Sequence, residues 1–439
     1  MATMDKKIYV HIELTGVTHP VGTLWISEKR GEESSTFEYF PEWYSSKAAF
    51  SLEPALHLGE GKYHKDKRLF GSIGDSAPDR WGSSLMLRQE ARLAKLENRH
   101  ARTLKMSDFL LMVNDFTRQG ALRFSENLEN PSFFTTYSKE HIPPLINLRS
   151  LLEASNRIIE GKALSQDIKD LFEPGSSLGG ARPKAVVLNP DNTLLIAKFP
   201  SPDDKWDVET WEYLSLRMAN RAGINTPEFL LHKVLDKNVL LLKKFDRDKN
   251  QYRIPFLSAM SLLDASDGKQ EEKTSYLDIA DALMEHGSNT SQDLRELWRR
   301  IVLNVLISNV DDHLRNHAFL YDGSDGWRLS PIYDLEPTPV EIKSRFLRTS
   351  INEADHTASL ELAYEVAELF EFKPAEARKE AKKIADVIKY WNKDAAGLGI
   401  SRQEIELMSS AFEHHDLKLA LKNPTISPGS GTASGNDEP

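Results

Sequence analysis

The chain has 439 residues, of which 40% are hydrophobic and 28% are charged, and its formal net charge is −10. This length and composition indicate a globular protein with two or three domains or lobes. The absence of cysteine excludes disulfides, thiolate catalysis and cysteine-based zinc sites, and the acidic balance argues against broad contact with a nucleic-acid backbone.

Neither end of the sequence has features of a membrane protein. The start, MATMDKKIYVHIEL, contains no apolar signal core, and no run of residues approaches the length of a membrane span. We therefore expect a soluble, cytoplasmic protein without membrane contacts. The low-complexity tail at 425–439 is expected to be disordered.

The first part of the chain has the pattern of a small β-rich unit. Residues 7–40 alternate between apolar and polar types, which predicts an antiparallel meander. Residues 107–124 predict a helix, a tight turn and a strand. The polar stretch at 125–144 then marks a subdomain boundary.

A Ser/Gly-rich loop at 173–184 precedes a predicted β-hairpin at 185–200. The backbone N–H groups of such a loop can approach phosphate closely, and Lys184 and Lys198 can supply positive charge. Glu212 lies on the next predicted helix and is a candidate partner for Lys198. The alternative, a solvated glutamate on that helix, stays open.

The most informative stretch is 305–320, VLISNVDDHLRNHAFL, in which apolar segments bracket a polar cluster. Thr290 to Asp293 predict a capping box at the start of the helix that leads into it. Asp311 is followed five residues later by Asn316, and Asp334 comes after a hairpin-like gap. Phosphoryl transfer by kinases requires a carboxylate for the hydroxyl nucleophile, and an Asn and an Asp for Mg²⁺. The alternative is a polar helix end with capping residues.

Two histidines in this stretch permit another interpretation. His313 and His317 have i, i+4 spacing and could bind a hydrolytic metal from one helix face. The motif lacks the adjacent glutamate of zinc proteases, and Asn316 suits Mg²⁺ better than Zn²⁺. We therefore interpret His313 as a residue that orients the catalytic loop and His317 as a packing residue.

Several motifs resemble those of the HipA family of bacterial serine/threonine kinase toxins. DSAPDRWG at 75–82 and DFTRQGALRF at 115–124 look like the signatures of its N-terminal subdomain. SSLGGARPK at 176–184 looks like its phosphate-binding loop, while DDHLRNHAF at 311–319 and YDLEP at 333–337 look like its catalytic and metal motifs. The resemblance covers roughly residues 8–421.

The resemblance implies an α+β fold with two protein-kinase-like lobes, an added N-terminal β-rich subdomain and an all-helical C-lobe. The corresponding divisions are a HipA-type N-terminal subdomain at 1–135, a nucleotide-binding N-lobe at 136–245, a helical C-lobe at 246–424 and the tail at 425–439.

The resemblance also implies roles for individual residues. Asp311 would be the catalytic base, Asn316 and Asp334 would bind Mg²⁺, and Lys198 would contact the phosphates of ATP. Ser177, with Ser176 as a rival, would be autophosphorylated and switch the enzyme off. The other implied nucleotide-binding residues are Ser177, Leu178, Gly179, Gly180, Ala181 and Lys184 of the loop, and Lys243, Phe245 and Asp246 of the hinge.

The hinge departs from the family in one respect. Lys243-Lys244 stands where the family often has Glu-Arg. Because the implied adenine contacts come from backbone groups of Lys243 and Phe245, nucleotide binding is expected to persist.

The function implied by the resemblance is an ATP- and Mg²⁺-dependent protein kinase that is the toxin of a toxin–antitoxin pair. Its substrate would be a translation factor such as an aminoacyl-tRNA synthetase. A helix-turn-helix antitoxin would bind the kinase and provide its only contact with DNA. The alternative is a catalytically weak co-repressor that acts by binding the antitoxin on operator DNA.

Overall fold

The computed structural model describes residues 6–135, 141–174, 180–266, 268, 273–323, 326–353 and 355–422. These residues form an α+β fold with three antiparallel sheets and a large set of helices at the carboxyl-terminal end, as predicted. None of the helices in these ranges is both long enough and apolar enough to span a bilayer. The predicted tail at 425–439 lies outside the described residues.

The N-terminal subdomain is built on the predicted meander. Apolar side chains alternate along its strands, so that one face of the sheet is buried. Its strand order is β4-β3-β2-β1-β5. The strands are β1 (Lys6–Leu14), β2 (Val17–Lys29), β3 (Glu32–Tyr39), β4 (Lys62–Asp66) and β5 (Leu122–Ser125), and the helices are α1 (Pro41–Tyr44), α2 (Gly71–Gly74), α3 (Arg80–Leu96) and α4 (Met106–Met112).

Helix α3 connects this subdomain to the next sheet. It begins where the side chain of Asp79 accepts a hydrogen bond from the N–H of Gly82 at 2.7 Å, which satisfies one of the unpaired donors of the first turn. Trp81 and Leu85 on its buried face belong to the same hydrophobic cluster as the strands and helices of the N-lobe. The subdomain and the N-lobe therefore share a core.

The N-lobe contains a four-stranded sheet in the order β6-β7-β9-β8. The predicted hairpin is present, with Lys184 opposite Lys198 in the register of its two strands. The elements are α5 (Leu148–Ile159), α6 (Ser165–Phe172), β6 (Lys184–Leu188), β7 (Leu194–Lys198), α7 (Val208–Arg221), β8 (Phe229–Val234) and β9 (Lys237–Lys243), with a 3₁₀ helix at Leu145–Asn147.

The C-lobe is mostly helical but not all-helical, because it also contains a small sheet. A small sheet in the order β10-β11-β12 lies at its cleft-facing side. The elements are β10 (Phe256–Ser258), α8 (Ala259–Leu262), α9 (Tyr276–His286), α10 (Thr290–Ile307), β11 (Ala318–Tyr321), β12 (Trp327–Leu329), α11 (Leu360–Glu365), α12 (Pro374–Ile388), α13 (Trp391–Gly397), α14 (Arg402–Phe412) and α15 (His415–Leu421), with 3₁₀ helices at Leu314–Asn316 and Ala367–Phe370.

Helix α10 is the buried axis of the C-lobe. Twelve of its residues are buried, among them Trp298, Ile301 and Val305. The predicted capping box is wrong, because the helix begins after Asn289 without a side-chain cap. Asp293 instead accepts a hydrogen bond from the N–H of Leu329 at 3.0 Å, which joins the helix to β12. Asp293 therefore makes a hydrogen bond to a residue distant in sequence instead of the predicted local cap.

The connection from β9 to β10 is joined to the N-terminal subdomain by buried charges. Asp246 accepts a hydrogen bond from the N–H of Gly120 at 2.8 Å and lies 3.3 Å from Lys244 and 2.8 Å from Arg247. Arg247 also donates to the carbonyl oxygen of Arg118 at 2.9 Å. The same junction contains the contacts Arg253–Asp115 and Lys244–Gln119.

Candidate active site

A cleft of about 930 Å³ lies where the N-terminal subdomain, the N-lobe and the C-lobe meet. Most of the predicted catalytic and phosphate-binding residues within the described ranges line it. They are Gly180, Ala181, Lys184, Lys198, Asp311, His313 and Asp334, and the cleft also contains Asp75, Asp79, Arg315, Glu336 and Arg348.

The polar stretch after α10 forms a folded loop. The helix ends at Ser308, whose left-handed φ of 52° turns the chain back. The loop then runs through the 3₁₀ helix at Leu314–Asn316 and enters β11. Because both flanking segments are buried, the polar residues between them have fixed positions. The polar residues therefore belong to an ordered loop that follows the helix end at Ser308.

Asp312 is the internal anchor of this loop. Its carboxylate accepts hydrogen bonds from Asn304 at 2.7 Å and from the Tyr276 hydroxyl, and it lies 2.8 Å from Nε2 of His317. Burial alone would raise the pKa of Asp312, but His317 and these hydrogen bonds hold it below its ordinary value. His317 is thus part of a buried hydrogen-bonded network.

Asp311 has the opposite orientation. Its side chain is 57% exposed and faces the cleft, and Oδ1 lies 3.2 Å from Nζ of Lys343. The side-chain amide of Asn316 donates to the backbone carbonyl of Asp311 at 3.4 Å. An accessible carboxylate at the edge of a cleft can accept a proton from an incoming hydroxyl group.

Lys198 lies between two carboxylates at the base of the cleft. Its Nζ is 2.7 Å from both carboxylate oxygens of Glu212 and 2.6 Å from Oδ1 of Asp334. Burial would lower the pKa of Lys198, but Asp334 and Glu212 raise it well above its ordinary value. The ammonium group therefore stays charged, and Glu212 is a buried partner of Lys198 and not a solvated residue.

Asp334 has an unusual backbone conformation. Its φ is 62°, in the left-handed region, which Asp tolerates better than most residues. Burial would raise the pKa of its carboxyl group, but Lys198 lowers it. The carboxylate of Asp334 is therefore anionic, and it lines the cleft.

The acidic residues near Asp334 fit a divalent cation. Carboxylate oxygens of Glu212, Asp334 and Glu336 lie within 4.8 Å of one another. Burial, with the charges of Asp334 and Glu212, raises the pKa of Glu336 to about 8. Oδ1 of Asn316 is buried and has no hydrogen-bond partner within the described part of the chain. Such oxygen donors suit Mg²⁺.

The histidine pair does not form an equivalent site. In the described residues, the one group of three or more potential His, Asp or Glu ligands contains Glu212, Asp334 and Glu336, and neither His313 nor His317. The hydrolytic-metal alternative therefore lacks a ligand set in this part of the structure.

A small apolar pocket continues from the cleft toward the hinge. Ile196, Leu242, Phe245 and Tyr333 provide its apolar walls, and Lys243 lies at its edge. The rings of Phe245 and Tyr333 are 5.5 Å apart. The pocket is mainly apolar, and its volume of about 20 Å³ makes it much smaller than the cleft.

The predicted hinge residues differ in their orientation. Lys243 and Phe245 border the apolar pocket, and the side chain of Lys243 turns away to Glu228 at 2.6 Å. Asp246 was also predicted to bind nucleotide, but its carboxylate is fully buried and directed toward Gly120 of the N-terminal subdomain. The role of Asp246 in nucleotide binding therefore stays a prediction, and in this structure its carboxylate contacts the N-terminal subdomain.

The loop before β6 is partly described. Ser177, Leu178 and Gly179, and with them the predicted autophosphorylation site, lie outside the described residues. Gly180 has a φ of 109°, a conformation that other residues rarely adopt. Arg182 fixes the next turn through Asp204 at 2.6 and 2.8 Å and Glu209 at 2.8 Å.

The N-terminal subdomain contributes residues that sequence reasoning did not assign to the site. Asp79 pairs with Lys184 at 2.8 Å, and Asp75 lies 3.9 Å from Arg315. Both acidic residues belong to the motif at 75–82, which the sequence marked only as a subdomain signature. No spacing rule could have placed this motif opposite Lys184 and Arg315, which follow 105 and 240 positions later.

Comparison with known proteins identifies the relatives of this fold. Residues 176–393 match the family described as the HipA-like C-terminal domain. A curated protein of Haemophilus influenzae named "Putative kinase" is 29% identical over 203 residues. This match covers 41% of the chain and 59% of the relative, so the chain spans about three fifths of that protein.

Solved structures also match. The HipA toxin of Shewanella oneidensis, determined with HipB and its operator DNA, superposes with a TM-score of 0.65 at 16% identity over 94% of this chain and 96% of that chain. The Helicobacter pylori proinflammatory kinase CtkA matches with a TM-score of 0.40 at 18% identity, over 54% of this chain and 92% of that chain. The first match shows that the fold extends over nearly the whole chain.

Proposed function

Because residues 176–393 match the family described as the HipA-like C-terminal domain, we propose that the chain is an ATP- and Mg²⁺-dependent serine/threonine protein kinase. The observation that carries this proposal is the placement of Lys198 between Glu212 and Asp334, in the same cleft as the exposed carboxylate of Asp311. Protein kinases use a lysine–glutamate pair, a metal-binding aspartate and a catalytic aspartate in these roles.

The nucleotide would occupy the cleft and its apolar extension. The adenine ring would lie between Ile196 and Tyr333, near the backbone of Lys243 and Phe245. Lys198 would contact the phosphates, and the loop that includes Gly180 and Ala181 would cover them. Ser177, Leu178 and Gly179 are proposed to belong to the same loop.

Asn316 and Asp334 would hold Mg²⁺, which supplies positive charge to the phosphoryl group when bound. The acceptor hydroxyl oxygen attacks the γ-phosphorus, its proton passes to Asp311, and the bond to the bridging oxygen of ADP breaks. His313 lies beside Asp311 and would orient the loop. Because Asp311 is exposed, a protein hydroxyl can reach it without rearrangement of the core.

The proposed biological role is that of a toxin in a toxin–antitoxin pair. The Shewanella oneidensis relative was crystallised with HipB and its operator DNA. A HipB-like helix-turn-helix antitoxin is accordingly proposed as the partner of this chain and as its link to DNA, which suits a chain with a net charge of −10. The proposed substrate is a translation factor such as an aminoacyl-tRNA synthetase, and autophosphorylation of Ser177 is the proposed off-switch.

Incubation of the full-length chain with γ-labelled ATP and Mg²⁺ tests the kinase proposal. Label should appear on the chain itself or on a protein of a cell lysate, and phosphoamino-acid analysis should identify phosphoserine or phosphothreonine. Asp311→Ala serves as the inactive control. Absence of label on every protein, with a folded wild-type chain, would contradict the proposal and favour the co-repressor alternative.

A further inference from the structure

A buried ion pair joins the N-terminal subdomain to the candidate phosphate-binding site. Oδ2 of Asp79 lies 2.8 Å from Nζ of Lys184, and the two side chains are 5% and 2% exposed. The other carboxylate oxygen of Asp79 accepts the N–H of Gly82 at 2.7 Å. Since this second contact begins helix α3, the carboxylate has a fixed position and can in turn fix the ammonium group of Lys184.

Trp81, two residues after Asp79 in the same motif, makes a second contact with the loop. The indole N–H of Trp81 donates to the carbonyl oxygen of Lys184 at 2.9 Å, and the backbone N–H of Trp81 donates to the carbonyl oxygen of Gly180 at 3.3 Å. The Trp81 ring is buried in the core shared with the N-lobe. The start of α3 therefore holds both the end of the loop and the beginning of β6.

Lys184 itself faces the site. It lines the same cleft as Lys198 and Asp334, and its ammonium group lies 3.5 Å from the place where a Cβ of Gly180 would be. A cation directly beneath the last residues of the loop is well placed to meet a phosphate group that the loop covers.

We propose that Asp79 is a positioning residue of the kinase, which acts through Lys184 to hold this cation and the end of the phosphate-binding loop in the geometry required for phosphoryl transfer. This inference rests on the proposed function, and it assigns to the N-terminal subdomain a direct part in the chemistry of the cleft. Asp79 needs no contact with ATP for this role.

Two opposing effects determine how removal of the Asp79 charge should change the kinetic constants. The negative charge of Asp79 repels the phosphates of ATP, so its neutralisation favours ground-state binding. Its fixed contact with Lys184, however, prevents the flexible lysine side chain from leaving the reactive position. Positioning acts mainly on the transition state, because small displacements in a reacting geometry cost large factors in rate. A lower kcat is therefore expected, with little change in KM for ATP.

The experiment uses the full-length chain and compares Asp79→Asn, Lys184→Met and the double variant. Asn keeps the size and the helix cap of Asp but removes the charge. The kcat of Asp79→Asn should fall about tenfold, equivalent to about 1.4 kcal/mol of barrier. KM for ATP should change by less than about threefold. The double variant should be no slower than Lys184→Met alone, because Asp79 acts through Lys184.

Asp167→Asn is the matched control. Asp167 is also a buried aspartate that accepts a helix-start N–H, from Leu164 at 2.8 Å, and pairs with a cation, Arg157, at 2.6 and 2.9 Å. It does not line the cleft. Its variant should therefore retain the kinetic constants of the wild type even if its stability is lower.

Trp81→Phe provides a second variant should Asp79→Asn fail to fold. It removes the donor to Lys184 and keeps an aromatic ring, and amide hydrogen exchange of residues 180–188 should become faster. Additive losses in the double variant, or a higher kcat of Asp79→Asn, would overturn the proposal. Unchanged kinetic constants together with unchanged amide hydrogen exchange in Trp81→Phe would also overturn the proposal. A wild-type chain that neither binds nor consumes ATP would overturn the kinase assignment instead. In that case, faster amide hydrogen exchange of residues 180–188 in Asp79→Asn would still show that Asp79 holds the end of the loop in position.

Discussion

Asp311 and Asp312 are consecutive residues with opposite surroundings. The side chain of Asp311 is 57% exposed in the cleft, whereas that of Asp312 is 5% exposed and bonded to Tyr276, Asn304 and His317. The peptide backbone directs them to opposite sides of one loop, so that one carboxylate is available for chemistry while its neighbour holds the loop in place. Substitution of each residue should separate these two roles.

Asp311→Ala should remove phosphotransfer and leave the protein folded. A positioned base contributes about 10²–10⁴-fold to a rate, and a kinase aspartate also aligns the nucleophile. The substitution also removes the ion pair with Lys343, which lies at the surface and is worth about 0–1 kcal/mol. Labelled-ATP assays and thermal unfolding measure the two effects. Wild-type turnover by the variant would contradict the assignment.

Asp312→Ala should lower stability first. The substitution leaves the Tyr276 hydroxyl, the Asn304 amide and His317 without their shared acceptor, at an expected cost of about 3 kcal/mol or more in the free energy of unfolding. Urea unfolding of this variant beside Asp311→Ala provides the comparison. If both variants have equal stability, Asp312 is not the anchor of the loop.

Asp334→Asn should weaken the use of Mg²⁺. An amide oxygen is a poorer ligand than an anionic carboxylate for a hard cation, and the variant also loses one counter-charge of Lys198. The Mg²⁺ concentration that gives half-maximal phosphotransfer should rise by about tenfold or more. Glu341→Gln, on the surface, should leave it unchanged. The same half-saturation in Asp334→Asn and wild type would exclude Asp334 as a ligand.

Ser177→Asp should reduce the affinity for ATP. A phosphoserine carries about −1.5 to −2 charges, and an aspartate imitates part of that charge beside the anionic phosphates. Mass spectrometry should find phosphate on Ser177 of the active chain and not on Asp311→Ala. Ser176→Asp tests the rival acceptor in the same way. Normal ATP binding by Ser177→Asp would show that this switch does not operate here.

His11 should make the N-terminal subdomain sensitive to acid. Burial, together with Arg123, lowers the pKa of His11 from 6.5 to about 4, and its ring nitrogen lies 2.8 Å from the hydroxyl oxygen of Ser125. The unfolded chain therefore binds a proton below pH 6.5 that the folded subdomain does not bind until about pH 4.

The free energy of unfolding should consequently fall as the pH drops from about 6.5 to 4, by up to about 3 kcal/mol from this residue. Urea unfolding of the wild type and of His11→Gln at pH 7 and pH 4.5 measures this contribution. The stability difference between the two proteins should shift in favour of the variant at the lower pH. A difference that does not change with pH would contradict the role of His11.

The sequence predicted the elements and motifs whose signals are local. The hairpin of β6 and β7, the meander of β1 to β3 and the loop after α10 all follow from periodicity and spacing over a few tens of residues. Glu212 could be named as a candidate partner of Lys198 because helix α7 directly follows the hairpin. In the structure Glu212 is buried and contacts Lys198, so it is not the solvated helix residue of the alternative interpretation.

Contacts between residues far apart in the chain could not be predicted from the sequence. The Asp79–Lys184 pair joins residues 105 positions apart, and nothing local to either residue indicates the other. The same limit applies to Asp246, whose carboxylate accepts a hydrogen bond from the N–H of Gly120 across 126 positions. At Asp293, a contact with Leu329 replaced a capping box that local rules favoured.

The buried charges around Asp246 limit where this chain can be divided. A chain shortened to begin at residue 136 would lose the N–H of Gly120 and the carbonyl of Arg118, and so would place Asp246, Lys244 and Arg247 at a newly exposed surface without their partners. Removing partners from buried charges is destabilising, because the remaining contacts no longer offset the cost of desolvation. We therefore expect a chain without residues 1–135 to be less stable, and an exchange of these residues should preserve the backbone positions of Gly120 and Arg118.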